Sequence, residues 1–215
     1  REGLRVSQFK NGKIDLSGFW NEEFEHQSEQ AKRVRVGSLN FIRDEIARYT
    51  LFPLKAGPLA LPQIQTEMTV QRNSFFRRGR RNRIKRTVPS VPITVKGLPT
   101  RGRPKSYRGL VVGLTRLRAR VDRRKVADGK GVELTVTTEI AGLMQNVPKL
   151  EVPDTGNWQI FPSSSETSVQ QLPGGTIKSV RKQAWLLRPK KTGRIKIPPF
   201  TITYFDPAKK SYRTA

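Results

Sequence analysis

The one histidine of this 215-residue chain, His26, stands in the stretch Glu22-Glu23-Phe24-Glu25-His26-Gln27-Ser28-Glu29. An imidazole among carboxylates could hold a metal ion. A carboxylate pair drawn from Glu22, Glu23 and Glu25 could serve as acid and base on a glycosidic bond. A histidine metal site ordinarily combines two or more strong ligands, however, and a catalytic carboxylate pair must converge on a cleft. A run of charges along the chain lies more naturally on a wet surface, and the cluster is read so. No glycine-rich stretch has phosphate-loop spacing, and no serine sits in a nucleophile elbow. No catalytic, cofactor-binding or metal-ligating residue is assigned, and the chain is read as non-enzymatic.

Binding chemistry is better represented. The formal net charge is +25, from 42 Lys and Arg against 17 Asp and Glu. From Met68 to Val121, 54 residues hold 16 Lys or Arg and no acid. The densest stretch is FFRRGRRNRIKR, Phe75 to Arg86, with Arg77, Arg78, Arg80, Arg81, Arg83, Lys85 and Arg86 as a candidate loop for an anion or a partner. Such a run neutralises phosphates or acidic headgroups, and Phe75 and Phe76 could stack on bases. It also suits a solvated hairpin extension between Thr69 and Val88. No helix-turn-helix, RNA-recognition or zinc-finger pattern accompanies it, so nucleic acid is the weaker reading. Trp20, after Gly18-Phe19, is a candidate anchor for a partner, because aromatic side chains dominate interface energetics.

The elements that must position these residues are strands. Period-2 alternation and β-formers predict strands over 4–9, 32–36, 46–52, 59–70 and 88–95 in the first half. In the second half they predict 114–121, 132–140, 158–161, 176–187, 194–205 and 212–214. Residues 22–32 read as a solvated loop or single turn. Trp185 and Trp158 are read as core. Short strands parted by Pro and Gly turns indicate antiparallel β-sandwiches. There is no cysteine, hence no disulfide framework or thiolate metal site. No apolar run approaches the length of about 18 residues that crossing a bilayer as a helix requires.

The chain also repeats itself. At a constant offset of 136, Tyr49 falls on Trp185, Leu51 on Leu187, Pro53 on Pro189, Lys55 on Lys191 and Gly57 on Gly193. Leu59 then meets Ile195, Leu61 meets Ile197 and Pro62 meets Pro198. Fixed-offset similarity marks a repeated structural unit. Each copy is expected to be a β-hairpin with its Lys-x-Gly at the turn. Two immunoglobulin-like sandwich domains follow, over 1–97 and 109–215, joined by a Gly- and Pro-rich linker over 98–108. The offset places about 27 residues of the first domain ahead of Arg1. That domain is therefore expected to lack its N-terminal strands, and the chain to be an internal fragment of a longer array.

Three phrases are specific enough to point to a family: RYTLFPLKAGPLALPQ (48–63), VPITVKGLPTRGRPKSYRGLVVG (91–113) and IPPFTITYFDPAKKSYRT (197–214). Together with the Phe-Phe basic loop, they resemble the BatD family of aerotolerance-associated proteins. The resemblance implies an exported protein of several immunoglobulin-like sandwiches, periplasmic and anchored to the inner membrane by a C-terminal helix outside this sequence. It implies no catalytic residues and no cofactor. It implies an interaction scaffold for von Willebrand A-domain Bat proteins and a MoxR-type ATPase, tied to oxygen and stress tolerance. The chain is more basic than the resemblance leads one to expect, which leaves room for an anionic lipid surface or acidic partner. Leu114-Thr115 also stands where an acidic-aromatic pair commonly follows Val112-Gly113. The alternative function is a basic nucleic-acid-binding module.

Overall fold

The structure, a computed structural model, describes residues 4–12, 14–23, 32–43, 48–72, 81–108, 111–127, 129–172 and 175–215. These residues form fifteen strands and a single 3-10 turn, with no α-helix among them. The chain is all-β. Its ladders are antiparallel, as in an immunoglobulin-like sandwich, apart from one parallel bridge between Val112 and Phe205. It divides into two compact units, Arg1–Gly97 and Leu98–Ala215.

The first unit contains β1 (Leu4–Asn11), β2 (Phe19–Glu23), β3 (Lys32–Val36), β4 (Leu39–Arg43), β5 (Tyr49–Pro53), β6 (Gly57–Leu61), β7 (Ile64–Arg72), β8 (Arg81–Val88) and β9 (Val91–Val95). They pair as β1-β7-β8, β2-β5, β3-β4 and β6-β9. Strands β2 and β4 were not expected from the pattern, while β8, antiparallel to β7, is the return strand of the hairpin extension read between Thr69 and Val88. Glu22 and Glu23 lie in β2 and not in a loop, opposite Thr50 and Tyr49. The strand expected over 59–70 is two strands, broken at Pro62-Gln63 and assigned to different sheets.

The second unit is built on one sheet, in the order β10 (Leu114–Val121), β11 (Val132–Ile140), β13 (Ile177–Pro189) and β12 (Trp158–Gln171). A hairpin, β14 (Thr203–Asp206) with β15 (Ser211–Thr214), completes it. Alternation turns Val132, Leu134, Val136 and Ile140 of β11, and Ile177, Trp185 and Leu187 of β13, into the core. Each fully buried leucine or valine contributes about 1.5–3 kcal/mol. Two coil segments cover this face. Leu143, Met144, Val147 and Val152 come from one, and Ile195, Ile197, Phe200 and Ile202 from the other.

Three inward residues of β13 are polar and clamp the first segment. The Ser179 hydroxyl donates to Gly142 O at 2.6 Å. The Arg181 guanidinium donates to Val147 O at 2.8 Å and Met144 O at 2.9 Å. The Gln183 amide donates to Leu150 O at 3.0 Å and accepts from Leu150 N at 3.1 Å, imitating a strand partner. Burial lowers the pKa of Arg181, which has carbonyls and not a carboxylate for company.

Residues 98–108, expected as a linker, are held against the second unit's hairpin. Arg103 Nε donates to the Tyr212 hydroxyl at 3.0 Å, and that hydroxyl donates to Pro99 O at 2.6 Å. Tyr107 packs edge-on to Tyr212 with ring centroids 4.8 Å apart.

The repeated phrase is not a hairpin in either copy, which corrects the expectation. β5 pairs with β2 and β6 with β9, so the turn between them crosses from one sheet to another. In the second copy β13 belongs to the main sheet, while residues 194–201 join no ladder. The prolines supply a reason, since Pro53, Pro58, Pro189, Pro198 and Pro199 lack the amides that mutual pairing would use. The turn geometry is nonetheless common to both copies: Gly57 has φ +117° and Gly193 has φ +100°. Open space surrounds both positions, so only the backbone resists a side chain. Gly57→Ala and Gly193→Ala are each expected to cost about 1–3 kcal/mol, measured by urea unfolding of the parent unit. A neutral result at both would remove the turn from the account.

On the outer face of the main sheet, Glu139 of β11 receives Lys178 Nζ at 2.8 Å, with Arg116 Nη1 at 3.9 Å. The Lys178 hydrogen bond holds the Glu139 carboxyl below its ordinary pKa. A depressed folded-state pKa gives stability that is present above the unfolded value of about 4.3 and is lost as pH falls through the folded value. Glu139→Gln is therefore expected to flatten the acid limb of the unfolding midpoint below about pH 4.5. Parallel curves for the two proteins would remove Glu139 from the acid response.

Candidate functional site

The basic run is only partly within the described residues. Arg77, Arg78, Arg80, Phe75 and Phe76 lie outside them, as do Glu25, His26 and Glu29. Arg81, Arg83, Lys85 and Arg86 stand on β8, all exposed. Strand alternation divides them: Arg81, Arg83 and Lys85 share one face, and Arg86 joins half-buried Ile84 on the other. Arg83 Nε lies 3.4 Å from Glu67 Oε1, so part of that charge is answered within the sheet. Trp20, on β2 opposite Phe52, is 44% exposed.

A second basic constellation was not singled out from the sequence. β10 is an edge strand, and it runs into the loop 122–127. Across from it lies the coil segment 191–200. Between these two banks run two adjoining hollows of about 500 and 830 Å³, which share Val121, Arg123, Arg124 and Ile197. Their floor is apolar, with Trp158, Val132 and Leu134 from the main sheet. Trp158 is buried in the core, and its indole Nε1 donates to Lys196 O at 3.4 Å, fastening the far bank to the floor.

The banks are cationic. Arg118, Arg120, Arg123, Arg124 and Lys125 line the β10 side, and Lys191 and Arg194 the other. The lining contains one acid, Asp122, which is already engaged. Its Oδ2 accepts from Arg123 Nε at 2.7 Å and its Oδ1 accepts from Glu133 N at 2.9 Å. The Arg123 hydrogen bond is the main cause holding the Asp122 carboxyl below its ordinary pKa. Among the described residues, none of Arg118, Arg120, Arg124, Lys125, Lys191 and Arg194 has a carboxylate partner. An apolar floor between unanswered cations can bind an anionic chain with apolar side groups.

The sequence did carry a signal for this site in RLRARVDRRK (116–125), but its other bank lies some 70 residues away at Lys191 and Arg194. Only the fold brings the two together. Among the described residues no group of three or more His, Cys, Asp and Glu could hold a metal ion, and no helix is long and apolar enough to cross a membrane.

No curated protein and no solved structure matches the chain. Residues 119–215 match the family model described as the BatD DUF11 like domain, a span that includes β11 to β15 and most of the groove. The resemblance read from the sequence has its support over residues 119–215, where the chain is similar to that domain.

Proposed function

We propose that this protein is a non-enzymatic scaffold of the bacterial cell envelope, acting by protein–protein contact in the service of oxygen and stress tolerance. The carrying observation is the groove between β10 and residues 191–200, whose walls offer cations, apolar floor and coil backbone. The BatD-type domain that contains most of it supports an envelope setting. On this reading the domains face the periplasm, held at the inner membrane by a helix outside this sequence. Their partners are von Willebrand A-domain Bat proteins and the MoxR-type ATPase system. The exposed cations of β8 contribute attraction to anionic lipid or to acidic partner surfaces.

Protease accessibility of the full-length product tests the setting. Protection in intact cells with cleavage in spheroplasts, together with cross-links to membrane-anchored neighbours, is the expected outcome. Protection in both preparations would place the domains in the cytosol, remove the scaffold reading and return the basic surfaces to nucleic acid.

A further inference from the structure

Resting on the scaffold reading, we infer that the groove accepts an extended acidic peptide strand, which adds to the backbone of residues 193–197 by β-augmentation. The internal repeat carries the inference. In the first unit β6 pairs antiparallel with β9, in the register Gly57↔Val95, Pro58↔Thr94, Leu59↔Ile93, Ala60↔Pro92 and Leu61↔Val91. Pro58 and Pro92 have no N–H, so they occupy the non-hydrogen-bonded pairs of the ladder. The bonding residues are then Gly57, Leu59 and Leu61. At the offset of 136 these become Gly193, Ile195 and Ile197.

Those counterparts belong to no ladder among the described residues. Yet they keep the form of a strand edge. Gly193 has the same left-handed turn as Gly57. Ile195 and Ile197 are half-buried between exposed Arg194 and Lys196, repeating the alternation of β6. Lys196 O accepts from Trp158 Nε1, while the N–H and C=O groups of Ile195 and Ile197 make no backbone hydrogen bond among the described residues.

The first unit shows what such an edge takes, and the charges show how the second unit's guest must differ. Residues directly opposite in an antiparallel pair share a face. A guest strand therefore places apolar side chains against Ile195 and Ile197, and its alternate residues against Arg194 and Lys196. With Arg118, Arg120, Arg124, Lys125 and Lys191 also bordering the groove, those alternate residues are Asp or Glu. Main-chain bonds give such a guest its affinity, and alternate side chains its selectivity.

The test uses the 215-residue chain and fluorescein-labelled eight-residue peptides with blocked ends, read by fluorescence anisotropy. An alternating Glu/Val peptide is expected to bind saturably, with affinity falling as salt rises. A Lys/Val peptide is expected not to bind. Lys191→Glu with Arg194→Glu, both at exposed positions, should weaken the Glu/Val peptide at least ~10-fold while leaving the unfolding midpoint unchanged. N-methylation of the peptide amides that face Ile195 and Ile197 should weaken it by a similar ~10-fold or more. Reversing Arg33 and Arg35, exposed on β3 of the first unit, to Glu should leave binding intact. Absence of saturable binding, indifference to N-methylation, or loss only in the first-unit variant each overturns the strand site. None of these results touches the periplasmic setting or the cross-links, so the strand site can fail while the scaffold reading stands.

Discussion

Arg181→Ala is expected to destabilise the second unit by about 2–4 kcal/mol. Arg181 is 7% exposed and stands in the middle of the inner face of β13. It supplies N–H groups to Val147 O and Met144 O at 2.8 and 2.9 Å, with Pro148 O further off at 3.4 Å. Alanine removes these donors at once. Met144 O keeps the Val147 N–H at 3.0 Å, whereas Val147 O loses its guanidinium donor, which costs about 1–3 kcal/mol, and the vacated space adds a cavity term. Arg181→Lys keeps the charge but not the fork that reaches two carbonyls together, and is expected to recover only part of the loss. The measurement is urea unfolding followed by tryptophan fluorescence, with amide exchange read over residues 142–150. A cost below about 1 kcal/mol, or unchanged exchange there, would show that the coil segment stays in place by apolar packing alone.

The same strand shows how far the fold can be read from the chain. β10 and β11 lie where alternation put them, over 114–121 and 132–140, because their inward residues are almost all apolar. In β13 the inward row is Ile177, Ser179, Arg181, Gln183, Trp185 and Leu187, so half of it reads as a solvent face. Its polar members are inward because they bond the coil that covers them, a reason that lies some 35 residues away. β12 continues ten residues past its expected end at Phe161, through a run exposed on both sides. Pairing with β13 extends it, and burial does not. As an edge it is blunted by polar side chains and by the irregularity between Pro162 and Ser164. Residues 194–201 show the converse, with strand-like alternation and no strand beside them. The site followed the same logic. A basic run local in sequence, over 75–86, was conspicuous, while cations gathered from 118–125 and 191–194 became a site only through folding.

Trp185→Ala is expected to cost about 3–5 kcal/mol and, in addition, to loosen one bank of the groove. Trp185 is 6% exposed and belongs to the cluster of Val132, Leu134, Val136, Val152, Trp158 and Leu187. It stacks on Phe200, with ring centroids 6.0 Å apart and planes inclined by 23°. Phe200 lies in the coil that joins no ladder, so side-chain packing by Ile195, Ile197 and Phe200, with the Trp158 bond to Lys196 O, attaches that coil to the sheet. Removing the indole withdraws the largest of these attachments. Faster amide exchange should therefore appear over residues 194–201 before it appears in β11 or β13. Trp185→Phe keeps an aromatic face for Phe200, as Tyr49 keeps an aromatic residue at the aligned position of the first unit, and should lose less than half as much stability. Peptide binding should follow the bank and not the global stability: weakened in Trp185→Ala well below its unfolding midpoint, and retained in Trp185→Phe. Equal binding by both variants would mean that the coil is held without Trp185. Loss of binding only at the unfolding transition would mean that bank and sheet move as one body.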